Sequence, residues 1–240
     1  MILGSDMART NTTSGSLIQV MPTRQPLGAE VLNVDVNMFD DWAFAAFMRA
    51  LLKHQTVLVR GQRLSNRELA AFSQRFGHAG LLYTPYGTML GGNASFSSLF
   101  AVYDGLPPVL RRRIANLKIR HLASQIDRGG RDHLQSDRSA ISGTVQPLVS
   151  LHPDTGRSLL ALGRRHHAYL VGLDLAESDA LLDELWDFTT RPEFTWSHEC
   201  GGGDLLVWDR RCTIHQRATT NATCPHLVPR AGTWNSMSMT

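Results

Sequence analysis

The stretch from Gly203 to His215 constrains the fold more than any other part of this sequence, because it predicts two strands joined by a charged turn. The first strand is the apolar run from Leu205 to Trp208, which follows a turn of three glycines and has the composition of a buried strand. The second strand begins near Cys212 and carries His215. Asp204 closes the glycine turn, since an Asp side chain accepts hydrogen bonds from nearby backbone N–H groups.

A histidine on a strand behind a charged turn has two interpretations. His215 is either a core histidine bonded to a nearby carbonyl or a metal ligand, because neutral imidazole is the commonest protein ligand for iron, zinc and copper. Taken alone, the first interpretation has the better odds. The spacing of residues does not separate the two, and only the whole string does.

The whole string resembles GDLVIWDNRCTLH, a signature of the TauD/TfdA family of Fe(II)/2-oxoglutarate-dependent dioxygenases. The resemblance implies that His215 is one of the two histidines that hold Fe(II) together with one carboxylate. It also implies a fold that is mainly β with flanking helices, a double-stranded β-helix or jelly roll. Three earlier stretches resemble further motifs of the family, LGAEVxGVDL, VLVFRGQ and LSxxELxAFSRRFG, and they lie at Leu27 to Val36, Val57 to Gln62 and Leu64 to Gly77.

One segment of the family pattern is absent. Residues 78–90 lead directly to Gly91–Phe96, which resembles the family motif GGDTxFADMRAAYDALP. In the family a segment of several tens of residues separates these landmarks and carries the WHxD motif, the source of the other histidine and the carboxylate. We therefore expect an incomplete jelly roll, in which some apolar side chains are more exposed than usual and favour aggregation, namely Leu81, Leu82, Phe96 and Phe100.

Fe(II) and 2-oxoglutarate are the cofactors that the resemblance implies, with decarboxylation to succinate and CO₂ while O₂ oxidises a substrate C–H bond. The family threonine that helps to hold 2-oxoglutarate is replaced by Ala94, and Ser95 points to the opposite face of a strand. Family arginines after the histidine pair with carboxylates, because a guanidinium binds a carboxylate through two hydrogen bonds. Their positions fall on His226 and Arg230, so Arg230 is the candidate cofactor-binding residue.

Other histidines are candidates for the missing ligands. His152 and Asp154 form a literal H-x-D, but HPxTGRK is a turn in the family and does not bind iron, and Pro153 and Gly156 fit a turn. His78 or His152 is the candidate to complete an iron site. His166 and His167 are adjacent and would point to opposite faces of a strand, so they do not chelate together.

Composition bounds the remaining possibilities. A chain of 240 residues with 42% apolar residues is long enough for one domain, which we place at 17–240 behind a disordered tail at 1–16. The net charge of +3 is small and its Arg runs are short, which argues against a nucleic-acid-binding surface. Three cysteines without metal-site spacing argue against a disulfide framework, and no stretch resembles a membrane span or secretory signal. We expect a soluble, cytoplasmic protein.

Hydrophobic spacing and capping residues predict the elements. Helices are predicted at Trp42–Leu52, Ser65–Gly77, residues 107–121 and Leu173–Trp186. Residues 124–143 are predicted to form a loop and residues 152–156 a turn. Strands are predicted at Leu17–Val20, Ala29–Leu32, Val34–Val36, Thr56–Val59, Val145–Leu151, Leu159–Leu162 and Phe194–His198.

Three hypotheses on function follow. The first is a dioxygenase that hydroxylates a small acidic organic substrate, resembling taurine or an aryloxyalkanoate, because Leu148 to Leu182 most resembles the herbicide-degrading branch of the family. The second is a catalytically inactive jelly roll that binds a small acid or a protein partner. The third is a truncated or mis-spliced form of an active protein. Two of the three expected iron ligands are not identified in the sequence.

Overall fold

The structure, a computed structural model, describes residues 18–87, 91–122, 143–162, 167–217 and 238–239. Its helices are α1 (Asp41–His54), α2 (Asn66–Gln74), α3 (Leu99–Gly105), α4 (Pro108–Ile114) and α5 (Leu175–Thr189). Its strands are β1 (Gln19–Pro22), β2 (Ala29–Leu32), β3 (Thr56–Val59), β4 (Ala79–Tyr83), β5 (Gly91–Ser98), β6 (Lys118–Leu122), β7 (Gly143–Pro147), β8 (Val149–Leu151), β9 (Ser158–Leu160), β10 (Ala168–Val171), β11 (Thr195–Cys200), β12 (Leu205–Asp209), β13 (Thr213–Arg217) and β14 (Ser238–Met239).

Two sheets form the centre of the fold. The first has the strand order β1-β2-β3-β12-β4, and all its pairs are antiparallel except β2 with β3. The second has the order β11-β5-β13-β14. A hydrophobic cluster with members from both sheets fills the space between them. The prediction of a mainly β fold of the jelly-roll type with flanking helices is therefore confirmed.

Strand β12 explains why its sequence is apolar at every position. Leu206 and Trp208 point toward the second sheet, whereas Leu205 and Val207 point to the opposite face and pack in the cluster beneath α1 and α2. A strand covered on both faces carries a continuous hydrophobic run rather than an alternating one. The apolar runs of β3 and β4, its two neighbours in the sheet, have the same cause.

Helices α1 and α2 cover the outer face of the first sheet through edge-to-face phenylalanine contacts that include Phe47, Phe72 and Phe76. The side chain of Asp40 caps α1, and Ser65 forms with Glu68 the capping box that the sequence predicts for α2. Helix α2 ends at Gln74, three residues before Gly77.

A third cluster packs the smaller sheets, β10-β6-β7 and β8-β9, against α3, α4 and α5. Here the prediction of one helix over 107–121 is wrong. Helix α4 ends at Ile114, and residues from Lys118 onward form β6, which pairs with β7 on one side and β10 on the other. Pairing on both edges outweighs the local preference for helix, which amounts to only tenths of a kcal/mol per residue.

Two further predicted strands differ. The run Val145–Leu151 is divided between β7 and β8, because the buried Leu148 bonds through its backbone to Leu117 and Ala161 instead of continuing one ladder. Val36–Met38 is a short 3-10 helix capped by Asp35, not a strand. The predicted tail and most of the predicted loop at 124–143 lie outside the described residues. Among the residues that are described, no helix has the length and hydropathy to span a membrane.

The expected exposure of apolar side chains is also wrong. Leu81, Leu82, Phe96 and Phe100 are all at most 4% exposed. On β4, Leu81 packs in the cluster beneath α1 and α2, and Leu82 packs between the two sheets, so both faces of the strand are covered. Phe96 lies between the two sheets and Phe100 lies in the cluster around the helices. The sheets close over these residues without the absent family segment.

Candidate active site

His215 lies in the middle of β13 and its side chain points into the space between the two sheets. It is directly opposite Phe96 of β5, and only 5% of it is exposed. Its Nε2 atom is buried as well. The turn that precedes it crosses from the first sheet to the second, since β12 belongs to one and β13 to the other. Alternation along β13 puts His215 on the face toward the first sheet and Ile214 on the opposite face, where it packs in the third cluster.

Aromatic rings surround this histidine. Trp196, Phe96 and His215 are register partners on three adjacent strands, and their rings stack with centroid separations of 5.8 and 4.9 Å. Trp208 reaches across from the opposite sheet to within 4.7 Å of the His215 ring. A Cβ atom at Gly80 would lie 2.2 Å from the Trp208 side chain, so the absence of a side chain there makes room for this ring. We call these four rings the aromatic stack.

The other residues predicted for the cofactors have mixed outcomes. Ala94 is buried between the sheets, and Ser95 turns to the opposite face, where its hydroxyl lies 2.7 Å from that of Ser197. The position of the family threonine thus faces inward without a hydroxyl, as the sequence indicates. Arg230, the candidate cofactor-binding residue, lies outside the described residues, and so do His226 and His166.

The described residues do not by themselves fit the iron that the family binds. A facial triad needs two histidines and one carboxylate on one centre. Across the described ranges, His152, Asp209 and Cys212 are the group of three potential ligands that converges, with ligand atoms within 4.8 Å of one another, and His215 is not a member of it. His78 is exposed. Among the described residues, His215 is therefore not accompanied by the second histidine and the carboxylate of a facial triad.

The carboxylate of Asp209 in this group is already engaged by hydrogen bonds and by an ion pair with Arg211. Asp209 accepts hydrogen bonds from the backbone N and Nε of Arg211, both at 2.9 Å, and from its Nη2 at 2.6 Å. His152, which is 1% exposed, lies with its Nε2 atom 3.0 Å from Oδ2 of the same carboxylate. The backbone N–H of Asp154 donates to Nδ1 of His152, so the ring proton is on Nε2 and is donated to Asp209.

The electrostatics of this network favour structure over metal binding. Burial opposes ionisation of Asp209, but the hydrogen bonds from Arg211 and His152 outweigh it and hold the pKa of the carboxyl well below its ordinary value. Burial and the nearby Asp209 charge raise the pKa of the Cys212 thiol. A cation would have to displace the His152 proton and the guanidinium together, and it would meet a protonated thiol.

The H-x-D formed by His152 and Asp154 is a turn, as the sequence predicts for residues 152–156. The backbone N–H of Gly156 donates to the carbonyl of His152, and Gly156 has a φ of +67°, a conformation that suits glycine. Asp154 points away to bond with Arg211 at 2.7 Å. The side chain of His152 packs edge-on against Phe100.

A second buried histidine–aspartate pair lies at the opposite end of β12. Nε2 of His198 is 2.7 Å from Oδ2 of Asp204, which also accepts from the backbone N–H of Gly201 and so closes the glycine turn as predicted. Burial raises the pKa of the Asp204 carboxyl. The hydrogen bonds from His198 and Gly201 and the charge of Arg60 lower it by more, so the pKa lies below its ordinary value. No sequence motif marks His198 as the partner of Asp204, which lies six positions later in the chain.

The chain is similar to known proteins both in sequence and in structure. The family model described as taurine catabolism dioxygenase TauD, TfdA family matches residues 19–90 and residues 81–228. The two matches overlap at residues 81–90. This overlap lies within residues 78–90, where the sequence lacks the family segment that carries the WHxD motif. An (S)-phenoxypropionate/alpha-ketoglutarate-dioxygenase from Delftia acidovorans is 28% identical over 275 residues, covering 88% of this chain and 93% of that protein. Because 275 exceeds the 240 residues of this chain, part of that relative has no counterpart here.

Two further proteins are similar. An alpha-ketoglutarate-dependent 2,4-dichlorophenoxyacetate dioxygenase from Cupriavidus pinatubonensis is 36% identical over 128 residues, which cover 52% of this chain and 44% of that protein. The crystal structure of a taurine dioxygenase from Burkholderia xenovorans superposes with a TM-score of 0.73 at 26% identity, covering 85% of each chain. Both the sequence and the arrangement of the sheets are therefore shared with these proteins.

Proposed function

Because this chain belongs to the TauD/TfdA family of Fe(II)/2-oxoglutarate-dependent dioxygenases, we propose that it oxidises a small organic acid with 2-oxoglutarate as co-substrate. The single observation that carries this proposal is the position of His215, buried between the two sheets with its ring pointing inward. In this proposal His215 is the iron ligand of β13. The described residues do not supply the other histidine and the carboxylate that a facial triad requires.

The substrate class follows from the relatives and from charge. Relatives of this chain are named for phenoxypropionate and 2,4-dichlorophenoxyacetate, which are small acids with an aryl group. We propose a substrate of that kind, with Arg230 as the partner of a carboxylate, since a guanidinium stays charged and binds a carboxylate through two hydrogen bonds.

Two observations favour a second candidate function, the binding of a small acid without oxidation. Among the described residues, no histidine–carboxylate pair joins His215 in a converging group, and Ala94 replaces the hydroxyl residue of the family pattern. A lone imidazole holds Fe(II) only weakly, because chelation by several side chains provides most of the affinity. In this second function the jelly roll keeps its acid-binding position and loses the chemistry.

An anaerobic titration separates the two candidates. The purified protein is titrated with Fe(II) in the presence of 2-oxoglutarate while visible absorbance is recorded, and then exposed to air with 2-phenoxypropionate, 2,4-dichlorophenoxyacetate or taurine. Oxidation predicts a weak charge-transfer band and stoichiometric succinate in the wild type. The matched control is H215F, which keeps an aromatic ring between Phe96 and Trp208 and removes the ligand nitrogen; it should give neither signal.

The binding candidate has a different outcome. Flat absorbance and no succinate, together with a melting temperature that rises when the organic acid is added, would select binding without oxidation. The R230Q variant should then lose that rise. Absence of both turnover and any effect of the acids on melting would reject both candidate functions.

A further inference from the structure

The turn between β12 and β13 is a corner at which the chain leaves one sheet and enters the other. His215 is only six positions beyond Asp209, the last residue of β12. Side chains alternate along a strand, so a slip of one residue at this corner would turn His215 from the interior to the outer face. The direction of the His215 ring therefore depends on what fixes the corner.

Asp209 fixes the corner through both its backbone and its side chain. Its backbone N–H donates to the carbonyl of Gln55 at 2.9 Å, and its carbonyl accepts from the Thr213 hydroxyl at 2.7 Å. Its carboxylate accepts three hydrogen bonds from Arg211, within the corner itself. Beyond the corner, the carbonyl of Cys212 accepts from the backbone N–H of Leu99, which starts the pairing of β13 with β5.

His152 connects this corner to a separate part of the chain. It lies in the turn between β8 and β9, 57 positions from Asp209 in sequence. Among the described residues, its Nε2–H supplies the hydrogen bond to the carboxylate that comes from outside the corner. Asp154 of the same turn holds the outer side of Arg211 at 2.7 Å. The turn and the corner thus form one unit, and the ring of His152 is kept in place by its edge-on contact with Phe100.

We infer that His152 is a positioning residue for His215, acting through Asp209 to fix the register in which β13 enters the second sheet. The inference deepens the proposed function, because a ligand histidine must point inward. It does not depend on whether the protein binds iron, since the orientation of the ring is a property of the apoprotein. Both ring nitrogens of His152 are engaged in hydrogen bonds, so it is not assigned as a metal ligand.

The test measures the orientation of the His215 ring by NMR in the full chain. The His215 imidazole signals are assigned by their loss in H215F, and NOEs from that ring to Phe96 are recorded in each variant. H152N removes the donor at the position of Nε2, whereas H152Q keeps an amide N–H at nearly that reach. We expect the His215–Phe96 NOEs to be lost in H152N and kept in H152Q.

The matched control is H198N, which breaks the equivalent pair at the other end of the same strand, where Nε2 of His198 lies 2.7 Å from Asp204. It should leave the His215–Phe96 NOEs in place. Loss of these NOEs in H198N as much as in H152N, or their retention in both, would overturn the inference. If H152N does not fold, loss of the NOEs in folded H152Q would likewise overturn it, and their retention would support it. A failure of turnover in the wild type bears on the proposed function alone.

Discussion

The imidazole of His215 stacks on the ring of Phe96, with 4.9 Å between centroids and 27° between planes. The two residues face each other across adjacent antiparallel strands, and Trp208 closes the other side of the imidazole. The histidine that the sequence marks as a metal ligand is therefore also part of the packed interior. The two roles make different demands on the side chain and can be separated by substitution.

Replacing His215 should reveal its packing role in stability. H215A removes the central ring of the aromatic stack and leaves a cavity, which should lower the free energy of unfolding by about 2 kcal/mol or more. H215F retains a ring of similar size and should stay within about 1 kcal/mol of the wild type. Urea unfolding followed by far-UV circular dichroism measures both. Equal losses in the two variants would show that the ring is not packed as described.

Gly80 should be intolerant of any side chain. A Cβ atom there would lie 2.2 Å from Cε2 of Trp208, a rigid ring that cannot move away without disturbing the stack. G80A should therefore cost about 2 kcal/mol through overpacking. The control is G77A, since a Cβ at Gly77 meets nothing within 4 Å and its φ is not positive. Thermal melting of the two variants should differ clearly, and a G80A protein as stable as G77A would contradict the placement of Trp208.

Acid should destabilise the protein through its buried carboxylates. The pKa of Asp204 in the folded state lies below its ordinary value of 3.8, so its pairing contributes stability above that value, which is lost as the pH falls through the folded pKa. In D204N the free energy of unfolding should fall less steeply below pH 4 than in the wild type. D41N is the control, because Asp41 is fully exposed. Identical acid limbs for the wild type and D204N would argue against the His198–Asp204 pair.

The thiol of Cys212 should be inert in the folded protein. It is 2% exposed, and burial together with the Asp209 charge raises its pKa, so little thiolate is present at neutral pH. Cys200 is buried as well. In a C224S background, labelling with a thiol reagent should proceed only as fast as the protein opens, and it should accelerate in urea. Rapid labelling of Cys212 under native conditions would contradict its burial in the turn between β12 and β13.

Local signals in the sequence predicted much of this fold. The apolar runs at β3 and β12, and the capping box at Ser65, are read correctly because their causes lie within a few residues. The strand that carries His215 is also recognised correctly. Residues 107–121 could not be read this way, because β6 exists through its pairing with β7 and β10.

The site was less accessible to prediction than the fold. The bond between His152 and Asp209 joins residues 57 positions apart, and no local pattern indicates it. The same is true of Leu81 and Leu82, whose burial depends on pairing with β12, a strand more than a hundred residues later. The family resemblance predicts a ligand role for His215 but does not indicate that Phe96 and Trp208 pack against its ring.

Locating a bound metal in the protein tests directly whether His215 is an iron ligand. Mn²⁺ replaces Fe(II) at oxygen and nitrogen ligands without redox chemistry, and its paramagnetism broadens NMR signals of nearby nuclei. In an anaerobic titration with 2-oxoglutarate present, we expect the ring signals of His215, Phe96 and Trp208 to broaden first in the wild type. In H215F the ring signals of Phe96 and Trp208 should stay sharp. Broadening that begins elsewhere in the protein, or is the same in the wild type and H215F, would contradict the assignment of His215 as the iron ligand.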